Sequence, residues 1–219
     1  MQPLEYNRYL SQEDLSYAEK RRDDEEWIEN YPHKDLWHKN DALIKWFSIM
    51  RTFEEIVEGN DKIVVDLGAG EAPICHYIAS LGNDVTGVDV MWIDHLVNQS
   101  LAKMVLKNAW LYLDEREDKS IDVILDSCAV THFGNGTDPY EKPWDSLFKR
   151  ADRLIKPGGY VIISTDANND KHDDCEFGSP HKITEVAEGY GFKSYDEPNW
   201  KVESVSGCPY SVAHIVLKK

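Results

Sequence analysis

From about residue 60 onward, short apolar runs rich in β-branched residues alternate with longer amphipathic segments. This alternation narrows the fold more than any other feature of the chain. Runs at 62–67, 85–90, 110–113, 121–127 and 160–165 read as strands. Segments at 74–81, 92–105, 144–155 and 180–190 read as helices, and in the second of these Ile93, Leu96, Val97, Leu101 and Met104 form the inward face. Pro73 and Pro180 sit in first helical turns, Ser179 is placed to cap, and Gly82, Gly191 and the Lys-Pro-Gly-Gly at 156–159 stand where helices end. Two closing runs, 192–195 and 212–217, follow one another with no helix between them, so one of them should run antiparallel. The pattern predicts an α/β, Rossmann-like three-layer sandwich. Its seven-stranded sheet is mostly parallel, with an antiparallel strand near the C-terminus and helices on both faces.

Ahead of this core the chain reads differently. Residues 40–58 carry a helical stripe, Leu43, Phe47, Met50 and Val57 with Trp46 and Phe53 alongside, opened by Asn40 and closed by Gly59. The first 35 or so residues are polar and aromatic and include the charge run EKRRDDEEWIEN, which reads as a solvated helix face. The alternative is a lid in which Tyr6, Tyr9, Tyr17 and Trp27 close over a ligand. Residues 1–59 are thus expected to form an N-terminal helical cap, with Trp37 and His38 beside the pocket, and residues 60–219 a single core.

Lysine and arginine number 24 against 40 aspartates and glutamates, a formal net charge of −16. Such a field repels phosphate backbones and anionic lipid, so neither nucleic acid nor a membrane surface is the expected partner. No run approaches the roughly 20 apolar residues of a membrane span. The opening MQPLEYNRYLSQEDL lacks the basic and apolar blocks of a signal peptide. Cys75, Cys128, Cys175 and Cys208 form no C-x-x-C pair or zinc spacing. Together these predict a cytoplasmic protein with reduced thiols and a small-molecule partner, and they leave the oligomeric state open.

Ligands of such sheets bind outside the carboxyl ends of the strands. Two features lie there. Val65-Asp66-Leu67-Gly68-Ala69-Gly70-Glu71-Ala72-Pro73 turns the first strand into a helix, with glycines that let backbone approach a ligand. Proline at 73 replaces the third glycine of a dinucleotide fingerprint, which disfavours a nicotinamide oxidoreductase, and no Gly-Lys-Ser/Thr of a P-loop follows. Asp66, two places before the first glycine, discourages pyrophosphate and suits an ammonium-bearing ligand. Asp89 ends the second strand, 19 residues after Gly70, where a carboxylate can accept both hydroxyls of a ribose. Its alternative role is an ordinary helix N-cap.

These residues resemble the class I S-adenosylmethionine-dependent methyltransferases. Ser120 to Ser127 (SIDVILDS) is similar to that family's fourth strand, LIKPGGY at 154–160 to its turn into the fifth, and Gly191-Phe192 to its entry to the sixth. The resemblance covers roughly residues 60–219. It implies S-adenosyl-L-methionine as cofactor and S-adenosyl-L-homocysteine as product. In that reading Gly68, Ala69 and Gly70 line the methionine and ribose, and Asp66 organises the loop and faces the amino group. Asp89 holds the ribose, Val90 and Met91 flank the adenine, and Asp114 faces the adenine amine from behind the third strand. Asp126 and Ser127 lie near the reactive methyl. The cofactor carries a sulfonium, an ammonium and a carboxylate, so a carboxylate-rich pocket complements its net positive charge.

A hydroxyl or ammonium acceptor must lose a proton, and His132, just beyond the fourth strand, is the candidate base, with Asp126 as its catalytic neighbour. A structural histidine bonding backbone or positioning substrate is the competing reading. The run HFGNGTDP at 132–139 also resembles methyltransferase-like proteins encoded with glycan-synthesis genes, which makes a sugar one candidate acceptor. His172, Asp173, Asp174, Cys175 and Glu176 read as a solvated loop, so no metal site is expected. Cys128 has no basic neighbour to activate it and reads as pocket lining. The predicted function is methyl transfer to an O or N atom of a small polar metabolite. Two readings stand beside it: an aminopropyltransferase-like enzyme using decarboxylated cofactor, and a methyltransferase-like protein that binds the cofactor without turnover.

Overall fold

The structure is a computed structural model that describes residues 39–70, 73–90, 101–133, 143–167, 180–195, 199–203 and 211–219. Among the described residues there are eight strands: β1 (Ile63–Leu67), β2 (Asp84–Asp89), β3 (Lys103–Leu106), β4 (Ile121–Ser127), β5 (Ile155–Ala167), β6 (Lys193–Ser194), β7 (Asn199–Glu203) and β8 (Ser211–Lys218). The helices among the described residues are α1 (Lys39–Ile56), α2 (Pro73–Ser80), α3 (Ala109–Asp114), α4 (Pro143–Leu154) and α5 (Pro180–Gly189), with a 3-10 turn at Val130–His132.

The strands form one sheet in the order β3-β2-β1-β4-β5-β8-β6, with β7 also paired to β8. Pairing is parallel from β3 through β5, and β8 is antiparallel to its neighbours on both sides. β6 pairs the end of β8 (Lys193 with Lys218) and β7 its beginning (Glu203 with Ser211), so the two share one edge position. The eight segments therefore occupy the seven positions of the expected mixed Rossmann-like sheet. β7 was not visible in the sequence reading.

Helices cover both faces. On one, Ile49, Met50, Phe53, Ile56 and Val57 of α1 and Ile74, Cys75 and Ile78 of α2 pack on Val64, Val85, Val123, Leu125, Ile162 and Val216. On the other, Ala109, Tyr112 and Leu113 of α3, Leu147, Phe148 and Ala151 of α4, and Ile183 and Ala187 of α5 pack on Val65, Val88, Ile124 and Ile163. Full burial of each large side chain in these layers contributes about 1.5–3 kcal/mol. The helix assigned to the N-terminal cap is thus built into the core. The rest of the expected cap, residues 1–38 with Tyr6, Tyr9, Tyr17, Trp27, Trp37 and His38, lies outside the described residues.

The third strand and the helix after it are corrected. Residues 103–105, expected at the end of a helix, belong to β3, which pairs Thr86 with Lys103 and Asp89 with Leu106. Leu101, expected inward, is exposed, and residues 91–100 lie outside the described residues. Residues 110–113, expected as a strand, lie in α3, where Ala109, Tyr112 and Leu113 are buried at i, i+3 and i+4. The Asn108 side chain caps this helix by accepting from the amides of Trp110 (3.0 Å) and Leu111 (3.2 Å).

Candidate functional site

The strand order reverses between β1 and β4, so the loops leaving these two strands diverge and open a crevice at their carboxyl ends. Leu67 pairs with Val88 on one side and with Asp126 on the other. The chain then turns at Gly68, whose amide donates to the Val88 carbonyl (2.8 Å). Gly68 has φ +66°, and a Cβ there would lie 2.2 Å from Cβ of Ala129, in the loop after β4. No larger residue fits, so glycine is what brings the two loops into contact. Two residues on, the Gly70 amide donates to Asp89 Oδ2 (2.8 Å). Asp89 is half-buried and fixes the loop from the end of β2.

Asp66 and Asp126 are 1% and 0% exposed. Cys75 Sγ of α2 donates to Asp66 Oδ2 (3.2 Å), while Asp66 Oδ1 has no hydrogen-bond partner among the described residues. Asp126 Oδ1 accepts from the amides of Ala129 and Val130, both at 2.9 Å, and so caps the 3-10 turn; its Oδ2 has no partner among the described residues. Burial pushes the Asp66 carboxyl up to about 7, opposed by the Cys75 hydrogen bond and assisted by the charges of Asp126 and Asp89. Burial likewise pushes Asp126 up to about 7, against the lowering effects of the Val130 and Ala129 amides and of Lys45 on α1. Thr131 Oγ1 and Ser164 Oγ are further buried atoms without a partner among the described residues. Ser164 pairs in register with Ser127, the last residue of β4. Orphaned buried polar atoms are rare in folded proteins, and these four gather at one end of the sheet.

The remaining expected site residues are less closely gathered. Ala69 is buried in the glycine turn, with its amide on the Val88 carbonyl (3.2 Å). Val90 is exposed directly after Asp89, and Met91 lies outside the described residues. Ser127 is half-buried at the end of β4. His132 ends the 3-10 turn, but its side chain lies outside the described residues. Asp114 does not follow the third strand. It ends α3, where Arg150 of α4 donates to both its oxygens (2.8 and 3.1 Å). The position behind β3 is held instead by Lys107 and Asn108. Residues 172–176 lie outside the described residues, and no potential metal-holding cluster occurs among the described ones.

The sequence reading also missed a wall and a charge. Phe133 and Trp110 meet edge to face with centroids 5.1 Å apart, Phe133 packs beside Gly68, and Arg150 lies over the Trp110 ring at 5.0 Å. The wall joins the loops after β1, β3 and β4. Its signal was the Asn108 cap, which places Trp110 in the first helical turn after β3. Lys45 is the charge, buried at 7% exposure on the helix that covers the sheet. Only its place on the inward stripe of α1 could have marked it.

Residues 65–163 match the family model of the methyltransferase domain. A Maricaulis maris protein named ubiquinone biosynthesis O-methyltransferase is 31% identical over 108 residues, 47% of this chain and 39% of that relative. The chain thus spans less than half the length of that relative. Burkholderia thailandensis 1,6-didemethyltoxoflavin-N1-methyltransferase, solved with 1,6-didemethyltoxoflavin and S-adenosylhomocysteine bound, superimposes with a TM-score of 0.63 at 17% identity, covering 96% of this chain and 91% of that one. An S-adenosylmethionine-dependent methyltransferase from Archaeoglobus fulgidus gives 0.59 at 18% identity, over 82% of this chain and 94% of that one. Both structures share the fold. No helix among the described residues is long and apolar enough to cross a membrane. Domain match, sheet order and glycine turn agree: residues 65–163 match the methyltransferase domain, and the described fold is the one that these S-adenosylmethionine-dependent methyltransferases share.

Proposed function

We propose that this protein transfers a methyl group from S-adenosylmethionine to an O or N atom of a small polar molecule. The observation that carries the reading is the strand-end crevice, in which Gly68 brings two loops together, Asp89 holds the Gly70 amide, and buried carboxyl oxygens of Asp66 and Asp126 stand without partners among the described residues. These groups fit the cofactor. At Gly70 a Cβ would meet nothing nearer than the Gly68 carbonyl at 4.0 Å, so a ligand can lie against the backbone there, and the carboxyls complement a sulfonium and an ammonium.

When bound, the cofactor supplies a methyl group already activated by its positive sulfur. What remains for the chain is to bind, align and exclude water. Asp89 is assigned the ribose, Gly68, Ala69 and Gly70 the span between ribose and methionine, and Val90 and Met91 the adenine. Trp110 and Phe133 wall the same side. Asp66 and Asp126 are assigned the amino-acid end, with Ser127 beside the methyl. His132 is assigned the acceptor proton from its place on the turn after β4. Of the expected cap, the part ahead of α1 is assigned acceptor selectivity, since α1 itself packs on the sheet. The names of the relatives include one O- and one N1-methyltransferase, which supports small molecules as the acceptor class and leaves both atom types in play. A cytoplasmic setting suits Cys75 and Cys128, neither of which is in a disulfide.

The test is transfer of a labelled methyl group from S-adenosylmethionine across a panel of hydroxylated and aminated metabolites, sugars included. Transfer to at least one is expected. With that acceptor, His132→Ala should lower kcat about 10²- to 10⁴-fold while cofactor affinity holds. Unchanged turnover removes the base assignment, and cofactor binding with no transfer to any panel member favours a binding protein.

A further inference from the structure

Asp66 and Gly87 are register partners on β1 and β2. Cys75, the third residue of α2, packs beside this pair: a Cβ at Gly87 would lie 2.8 Å from its Sγ and 2.7 Å from Cε of Met104. The missing side chain in β2 thus makes room for the thiol. Sγ donates to Asp66 Oδ2 at 3.2 Å, and both residues are buried. Among the described residues this is the one hydrogen bond that the Asp66 side chain receives, and Oδ1 has none. Asp126, by contrast, is held by two backbone amides. A carboxylate out of water is costly unless donors hold it, and here a thiol fills that part. Burial first, then the Asp66 charge and hydrogen bond, push the Cys75 thiol well above its ordinary range, so it keeps its proton and acts as the donor.

We propose that Cys75 is a positioning residue for the cofactor: its thiol pins Oδ2 of Asp66 and so presents Oδ1 to the α-ammonium. The assignment rests on the cofactor reading above and deepens it. The titratable groups that act on Asp66 are Cys75 from α2, Asp126 from β4 and Asp89 from β2. The two carboxylates and burial all favour the protonated, neutral form, and the Cys75 hydrogen bond alone among these opposes them. Removing the thiol should therefore do two things. Asp66 loses its fixed orientation, and it keeps its proton to higher pH, where a neutral carboxyl attracts an ammonium poorly.

The experiment is calorimetric titration of S-adenosylhomocysteine into wild-type, Cys75→Ala and Cys75→Ser proteins between pH 6 and 8.5. Cys75→Ala should bind about 3- to 10-fold more weakly at pH 6–7, and the gap should close to within about twofold at pH 8.5, where Asp66 is ionised in both proteins. Cys75→Ser, which restores a donor, should stay within about twofold of wild type throughout. Isotope-edited NMR of the Asp66 carboxyl reads the same bond without a ligand: its titration midpoint should rise in Cys75→Ala and not in Cys75→Ser. A gap of equal size at every pH, or a serine variant as impaired as the alanine one, marks lost packing alone and overturns the positioning role. Affinity and titration midpoint both unchanged in Cys75→Ala overturn it as well, and each of these results leaves the cofactor reading standing. Failure of folded wild type to bind S-adenosylhomocysteine overturns that reading and the Cys75 assignment with it.

Discussion

Asp122 and Asp126 stand four residues apart on the same strand and lead opposite lives. Asp122, near the start of β4, is half-buried; its Oδ2 accepts from the Ile63 amide (2.9 Å) and from Lys156 (2.7 Å). Around it the strand starts are tied together in the same way: Asn83 Oδ1 accepts from the Lys62 amide, and the backbone of Gly158 and Gly159 bonds Lys219. Asp126, near the end of β4, is fully buried with one oxygen lacking a partner among the described residues, and Asp66 repeats the pattern on β1. The glycine turn and Cys128, a non-glycine residue at φ +59°, lie at the same end. The strand starts are built for stability, whereas the strand ends carry desolvated charge and strain, which persist where a site requires them.

Breaking the strand ends should therefore abolish binding, and breaking the starts should only soften the fold. The largest effect is expected for Gly68→Val, which forces a side chain into Ala129 at positive φ. It should remove measurable S-adenosylhomocysteine binding and cost roughly 2–4 kcal/mol in denaturant titration. Asp89→Ala follows, weakening S-adenosylhomocysteine about 10- to 100-fold by freeing the loop and the assigned ribose contact, with little change in Tm.

The buried carboxyls come next. Their folded pKa values near 7 exceed the ordinary 3.8, so between about pH 4 and 7 the folded state holds more protons than the unfolded one. The ligand-free protein should thus lose stability as pH rises across that window. Asp126→Asn should flatten the profile and raise stability at pH 8 by on the order of 1–3 kcal/mol. The same ionisation should tighten S-adenosylmethionine binding between about pH 6 and 8, because the cofactor is cationic. The smallest effect belongs to Asp122→Ala, which should cost about 1 kcal/mol and leave ligand affinity within about twofold. A matching loss of binding there would erase the distinction between the two ends.

The sequence made the parallel core legible because its strong elements were bracketed by punctuation. β4 was read at its observed bounds, and Pro73 and Pro180 marked the starts of α2 and α5. The third strand was misread because the Lys103–Leu106 run is too short for periodicity to separate strand from helix, and Leu101 and Met104 fit the helical stripe by chance. That error carried Asp114 with it. The glycine turn and Asp89 were legible as a motif because their spacing follows from one βαβ unit. The burial of Lys45 was not, since it depends on α1 crossing β4 and β5, a contact between segments distant in sequence. The Trp110–Phe133 wall was hidden for the same reason.

The most direct test of a site at the strand ends is side-by-side calorimetry of S-adenosylhomocysteine with wild type, Asp89→Ala and Asp122→Ala. Saturable binding by wild type, retained in Asp122→Ala and lost or severely weakened in Asp89→Ala, is the predicted result. No binding by folded wild type, or equal affinity in all three proteins, would contradict it.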